Sequence, residues 1–224
     1  MTIHVLVEGP SERAFFEPWI ARLLNGGDVR IHPHQGKGRL PDTDEGPDPK
    51  RRGLLDQLPA KLRAFRSSLG AQDGVLVVVD ADEDDQDALL AEIRGLAQTV
   101  SGLRASVSLA VEEVEAFYLG DLAAIARVFP DADMQMARGY EPDSICGTWE
   151  LFGRIVGDGG GNKVWWAQEM GPAVTTNPAR SRSPSFKKLV AALRELAVPP
   201  PTKPKRVGRY RHPPRVRRKE SGRR

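Results

Sequence analysis

Acidic residues stand at three places in this chain where a hydrophobic run ends. The first is VEGPSE, with Glu8 directly after the run Ile3–Val7 and Glu12 four residues on. A carboxylate at a strand end on the ligand edge of a sheet has no obvious structural role, so Glu8 stands out as a candidate functional group. Glu12 opens a helix with its side chain turned back toward the Gly-Pro turn. Its ordinary use there is to complement the helix dipole, worth about 0.3–1 kcal/mol. The second place is VVVDADEDD. In an extended segment Asp80 and Asp82 point the same way, and two such carboxylates repel unless a cation lies between them. Hard oxygen ligands of this kind suit magnesium or manganese. An EF-hand is excluded: counted from Asp80, position six is Asp85 rather than Gly and position twelve is Ala91. The third place is AVEEVEAFYLGD, where Glu112 and Glu115 are three apart on one helix face and Glu113 points elsewhere. One or two of these serve a second metal; a solvated acidic turn accounts for them nearly as well.

Two later stretches add cations. GDGGGNKV fails as a P-loop, because Asn162 stands where a Gly must precede the Lys and Val164 where Ser or Thr must follow. Its glycines read instead as a flexible loop delivering Lys163. NPARSRSPSF sets Arg180 and Arg182 beside Ser183 and Ser185 just before a helix, an arrangement suited to a phosphate. A polar turn capped by Ser185 is the plainer reading of the same residues. His4, His32, His34 and His212 have no paired ligand spacing.

The elements that must position these groups follow from periodicity. Ile3–Val7, Val29–Pro33, Gly74–Val79 and Ala105–Val111 read as strands, the third buried on both faces and the fourth alternating. A helix capped by Ser11 carries Phe15, Phe16, Trp19, Ile20, Leu23 and Leu24 on one stripe and ends at Gly26-Gly27. Leu54–Leu69 and Asp87–Val100 are helical, and residues 34–53 read as a long mobile loop. Strands separated by helices predict an α/β fold with a mostly parallel sheet flanked by helices. Ligands then bind at the carboxyl ends of the strands, where Glu8 and Asp80 lie. Beyond Glu112 the pattern is helical over Val114–Phe129, Ser144–Val156, Lys163–Met170 and Ser185–Leu196. The expected organisation is an α/β core over residues 1–130, a helical C-terminal extension completing it over 131–197, and a disordered basic tail over 198–224.

Composition bounds the function classes. The chain has 224 residues, 40% hydrophobic and 28% charged, enough for one domain with a real core. Aromatics at 6% argue against broad stacking platforms for single strands. The single cysteine, Cys146, excludes a disulfide scaffold and a Cys-based zinc cluster, and reads as a buried small residue. No apolar run has the length of a membrane span, and the N-terminus is no signal peptide, so a soluble cytoplasmic protein is expected. The net charge of +3 hides an asymmetry. From Lys203 onward there are eleven Lys and Arg, among them Arg209, Arg211, Arg215, Arg217 and Arg218, against Glu220 alone. The rest has 22 basic and 29 acidic residues. Such a tail predicts affinity for a polyanion, for which RNA, DNA or an acidic protein surface would all serve.

In order and kind, VEGPSE followed by VVVDADEDD resembles the paired motifs of TOPRIM domains, shared by topoisomerases, bacterial primases and OLD-type nucleases. AVEEVEAFYLGD, NKVWWA and RSRSPSF are similar to a small bacterial TOPRIM-like group of undefined function, often found beside ATPases and suspected of anti-phage roles. The resemblance covers roughly residues 1–197 and implies a metal-dependent nuclease using two magnesium or manganese ions. It implies Glu8 as acid/base or metal ligand, Asp80, Asp82 and Glu12 as ligands, and one of Glu112, Glu113 or Glu115 completing a second metal. Lys163 would meet developing phosphate charge. The chain departs from the OLD pattern in lacking a fused ATPase domain, so the alternative is a non-catalytic nucleic-acid-binding subunit that acts with a partner ATPase. A receiver-like phosphoacceptor ranks third, having no use for Glu12.

Overall fold

The structure is a computed structural model that describes residues 1–41, 50–144, 147–159 and 161–200. Strands β1 (Thr2–Val7), β2 (Asp28–Pro33), β3 (Gly74–Asp80) and β4 (Ala105–Ala110) form one sheet in the order β2-β1-β3-β4. Every pairing is parallel, with Val5 opposite Ile31 on one side and Leu76 on the other, and Val77 opposite Val107. The expected α/β class with a parallel sheet flanked by helices is what the chain adopts. Its central strands carry the β-branched runs, and β3 is buried at every residue.

Alternation divides the strands between two cores. Ile3, Val5, Val7, Leu76 and Val78 face one side, covered by α1 (Pro10–Leu23) and the C-terminal helices. Leu6, Val75, Val77, Val79 and Val107 face the other, covered by α2 (Leu54–Ser68) and α3 (Gln86–Thr99). The chain thus changes side of the sheet after β2, and the crevice between β1 and β3 is the topological switch point where such sheets bind ligands.

Six further helices follow: α4 (Glu115–Leu119), α5 (Leu122–Val128), α6 (Met134–Gly139), α7 (Thr148–Val156), α8 (Lys163–Ala173) and α9 (Pro184–Ala197). They share a core with α1, in which Phe15, Trp19, Phe117, Phe152, Trp166 and Phe186 are fully buried. Helices α1 and α8 cross so closely that a Cβ on Gly171 would lie 2.7 Å from the Phe15 carbonyl oxygen. Arg22 donates to the carbonyls of Gly171 and Val174, fixing the end of α8 to α1.

Local departures from the sequence pattern have physical causes. Helix α1 is capped by Gly9 with Pro10 in its first turn, rather than by Ser11. The helical pattern over Val114–Phe129 breaks at Asp121, whose carboxylate accepts the Ala124 and Thr175 N–H groups and starts α5. β4 does not alternate: Val107 to Ala110 are all buried. The turn after β2 is not a free loop where it is described. Gly36 N–H donates to the Glu8 carbonyl at 2.9 Å, and Leu54 N–H and Leu55 N–H return to the carbonyls of Gly36 and Lys37. Gly38, at φ +66°, lies against Gly53, where a Cβ would meet the Gly38 nitrogen at 2.6 Å. The expectations for residues 42–49, for Cys146 and for the tail from residue 201 fall outside the described residues. Among the described residues no helix is long and apolar enough to cross a membrane.

Candidate functional site

The ends of β1 and β3 bring Glu8 and Asp80 together. Glu8 Oε1 accepts the Asp80 N–H at 2.8 Å, bridging the switch point. Asp80 is 8% exposed, and burial followed by the charges of Glu8, Glu12 and Glu115 raises its carboxyl well above the usual range. Burial pushes Glu8 up to about 8, with Glu12 and Asp82 adding to it against the Asp80 amide and Lys37.

Glu12 and Glu115 close the cluster from two helices. Gly9 lets Glu12 fold back over the turn: a Cβ there would lie 3.1 Å from Glu12 Oε2. That oxygen is buried with no hydrogen-bond partner among the described residues, while Oε1 accepts from the Ser11 hydroxyl. A helix-dipole role asks for neither the burial nor the missing partner. Glu115, the first residue of α4, is 3% exposed, and burial raises it to about 8. Beneath them Tyr118 is fully buried and its hydroxyl also lacks a partner among the described residues. Its pKa is raised by burial and then by the charges of Glu115, Glu12 and Asp80.

The neighbouring glutamates have fixed partners. Glu112, at φ +61°, stands in the turn before α4 and shares no helix face with Glu115. Its two oxygens accept the N–H groups of Gly147 and Thr148, at the start of α7. Glu113 accepts from the Thr148 hydroxyl and the Trp149 N–H, and pairs with Lys163 at 2.8 Å. Lys163 also lies 4.7 Å above the Trp149 ring. Although burial opposes it, the hydrogen bond to Glu113 and the charges of Glu115, Glu113 and Asp80 raise its pKa.

Asp82 departs from the extended geometry that was to align it with Asp80. The strand ends at Asp80, Ala81 is buried, and Asp82 turns to φ +48°. Its carboxylate pairs with Lys37 at 2.9 Å, and Asp84 pairs with the same ammonium at 2.6 Å. Lys37 is a site residue that sequence reasoning missed. The signal was GKG in a stretch that reads as a mobile loop, and only the pairing of that turn with Glu8 and α2 fixes it. These groups border an open cleft of about 980 Å³, with Arg39, Glu113 and Trp149 on its other walls. Among the described residues no group of three or more His, Cys, Asp or Glu side chains is arranged as it stands to hold a metal ion. The donor set is nonetheless that of a hard cation, and the unpartnered Glu12 oxygen and mutually repelling acids are what such an ion would relieve.

The proposed phosphate stretch is otherwise engaged. Asp143, at φ +59°, takes the Ser185 N–H and the hydroxyls of Ser183 and Ser185, so a protein carboxylate already covers the start of α9. Ser183, not Ser185, is the cap. Arg182 donates to the carbonyls of Tyr140 and Ala137 at the end of α6, and Arg180 is exposed. Arg209, Arg211, Arg215, Arg217 and Arg218 lie outside the described residues, as does His212. The fold pairs two histidines that local spacing did not: His4 Nδ1 and His32 Nε2 are 2.9 Å apart beside Phe65. Burial lowers both, and with the charge of His4 brings His32 to about 4.

No solved structure matches the chain significantly. A stretch of 99 residues, 44% of the chain, is 32% identical to part of one component of the glutamyl-tRNA(Gln) amidotransferase of Methanococcus vannielii, and it spans 15% of that protein. Residues 7–194, from the last residue of β1 into α9, match the family model described as a domain of unknown function, DUF4276, and the chain belongs to that family.

Proposed function

We propose that the chain is a divalent-metal-dependent nuclease of TOPRIM type that hydrolyses phosphodiester bonds at the carboxylate cluster. One observation carries this reading: Glu8, Glu12, Asp80 and Glu115 converge on the switch point of a parallel sheet, and none of the four takes part in an ion pair among the described residues. Burying mutually repelling carboxylates without a direct ion-pair partner is costly, and a bound cation is a partner that would relieve the cost. Glu12, Asp80 and Glu115, with Glu8 beside them, would hold magnesium or manganese. The ion would supply Lewis-acid polarisation of the phosphoryl group.

The chain's own residues do the rest. Glu8 Oε1 is fixed on the Asp80 amide, and Oε2 takes no hydrogen bond from the described residues. As an attacking water forms its bond to phosphorus and the bond to the leaving oxygen breaks, Glu8 accepts the water proton and solvent protonates the leaving alkoxide. Lys163, oriented by Glu113 and Trp149, sets positive charge beside the non-bridging oxygens. The arginines of the tail add sequence-independent affinity for the polyanion. A cytoplasmic setting belongs to this reading, on the strength of the single cysteine.

A second reading is a nucleic-acid-binding subunit acting with a partner ATPase in anti-phage defence. It is favoured by the lack of a group already arranged to hold metal among the described residues. The name of the amidotransferase relative refers to a tRNA, which puts structured RNA among the substrates to try. The test is incubation with supercoiled plasmid and with structured RNA in magnesium or manganese, beside Asp80→Ala. Cleavage by the wild type alone supports the nuclease; binding of both without cleavage by either supports the second reading.

A further inference from the structure

We propose that the site takes one divalent cation, and that the ammonium of Lys37 occupies the place of a second. This rests on the metal-dependent reading above. A second ion would need Asp82 and one of the glutamates at 112–115. Asp82 and Asp84 instead face Lys37 Nζ at 2.9 and 2.6 Å, and the Ala81 carbonyl accepts from it at 3.1 Å. Three oxygens from one turn thus surround a single cationic nitrogen and use all three of its N–H groups. Both oxygens of Glu112 are bound to backbone amides, and Glu113 carries Lys163, a hydroxyl and an amide. Glu8, Glu12, Asp80 and Glu115 remain, enough for one ion.

Lys37 is held for this task. Its side chain is 15% exposed. The backbone on either side is tied to Glu8 and to the start of α2, and glycines at φ +87° and +66° flank it. An exposed lysine pair of the ordinary kind would have neither feature. With its donors committed, Lys37 acts by charge: it neutralises Asp82 and Asp84 beside an approaching phosphate and closes them to metal. It is a positioning residue, not a catalytic one.

The test is Mn²⁺ stoichiometry by calorimetry together with the electron paramagnetic resonance spectrum of the bound ion, on the full chain. The wild type should bind one Mn²⁺ per chain with the six-line spectrum of an isolated ion. Lys37→Met should admit a second ion and show a spin-coupled pair, and adding Asp82→Asn to it should restore one. Two ions in the wild type overturn the proposal, as does a folded Lys37→Met that still binds one. Asp82→Asn alone gives an independent check should Lys37→Met not fold. Unchanged Mn²⁺ affinity supports the proposal, and a loss of about tenfold or more overturns it, since Asp82 would then serve the ion. No Mn²⁺ binding by the wild type, with Asp80→Asn indistinguishable from it, overturns the metal reading itself.

Discussion

The carboxylate of Glu8 accepts the backbone N–H of Asp80, so the acid at the end of β1 is tied to the end of β3. Through that bond the two acids keep a fixed relation across the crevice. The repulsion between them is therefore built into the fold.

Neutralising the cluster should stabilise the metal-free protein. Asp80→Asn and Glu115→Gln each remove a carboxyl that burial makes costly to ionise and that has no ion-pair partner among the described residues. In EDTA at pH 8 each should raise Tm by a few degrees, the response to about 1 kcal/mol at this size. On the metal-dependent reading Mn²⁺ should raise the Tm of the wild type further, and both variants should lose that rise. A lower Tm in EDTA for both would show that these acids stabilise the fold instead.

Lys163 should matter to turnover and little to metal binding. Lys163→Ala is expected to lower cleavage by about 10²–10³, the loss that follows removal of one charge-stabilising donor. Mn²⁺ affinity should change little, and Lys163→Arg should recover part of the rate. Equal rates for wild type and Lys163→Ala would remove the residue from the mechanism.

Much of this site was legible because parallel strands put the residue after each strand on the ligand edge, which is local information. Glu8 and Asp80 could be read that way, and so could the four strands. Asp82, Glu112 and Glu113 could not. Their partners, Lys37 and the start of α7, lie 45 and 35 residues away, and only the folded chain brings them close. Lys37 escaped notice for the same reason. Nothing in GKG announces that the turn will be tied to Glu8 and to α2. The break at Asp121 likewise depends on Thr175, far along the chain.

Asp143 should prove structural. Asp143→Ala removes the carboxylate that joins Ser183 and Ser185 at the head of α9, and should cost about 1–2 kcal/mol in urea unfolding. Arg182→Ala should also lower stability while leaving nucleic-acid affinity unchanged. A loss of affinity without loss of stability would restore the phosphate reading of this stretch.

Acid should weaken the fold through the histidine pair. The folded pKa of His32, about 4, lies below the unfolded value of 6.5, so the unfolded chain takes up the proton first as pH falls. The stability is present above pH 6.5 and is lost as pH drops toward 4. His32→Leu should show a shallower fall of Tm between pH 7 and 4.5 than the wild type. An identical slope would assign the acid sensitivity to other groups.

Truncation after Pro200 should separate affinity from folding. Arg104 ties the end of α9 to β4 through the carbonyls of Leu196 and Val198, all of which are retained, so Tm should not change. Affinity for DNA or RNA should fall and lose most of its salt dependence, read from the slope of log K against log salt. An unchanged slope would place the binding charge on the body of the protein.

The anchoring by Arg104 also sets a distance. Leu196 packs against Gly74, where β3 begins, whereas Asp80 ends the same strand at the crevice. The described chain therefore ends near the opposite rim of the sheet, about 20 Å from the acids for a seven-residue strand. Twenty-four residues follow Pro200, and at about 3.3 Å per extended residue a chain of about six is long enough to cross that gap. A basic segment cut back to fewer residues than that could not cross the gap, and such a variant should behave toward nucleic acid as the full truncation does.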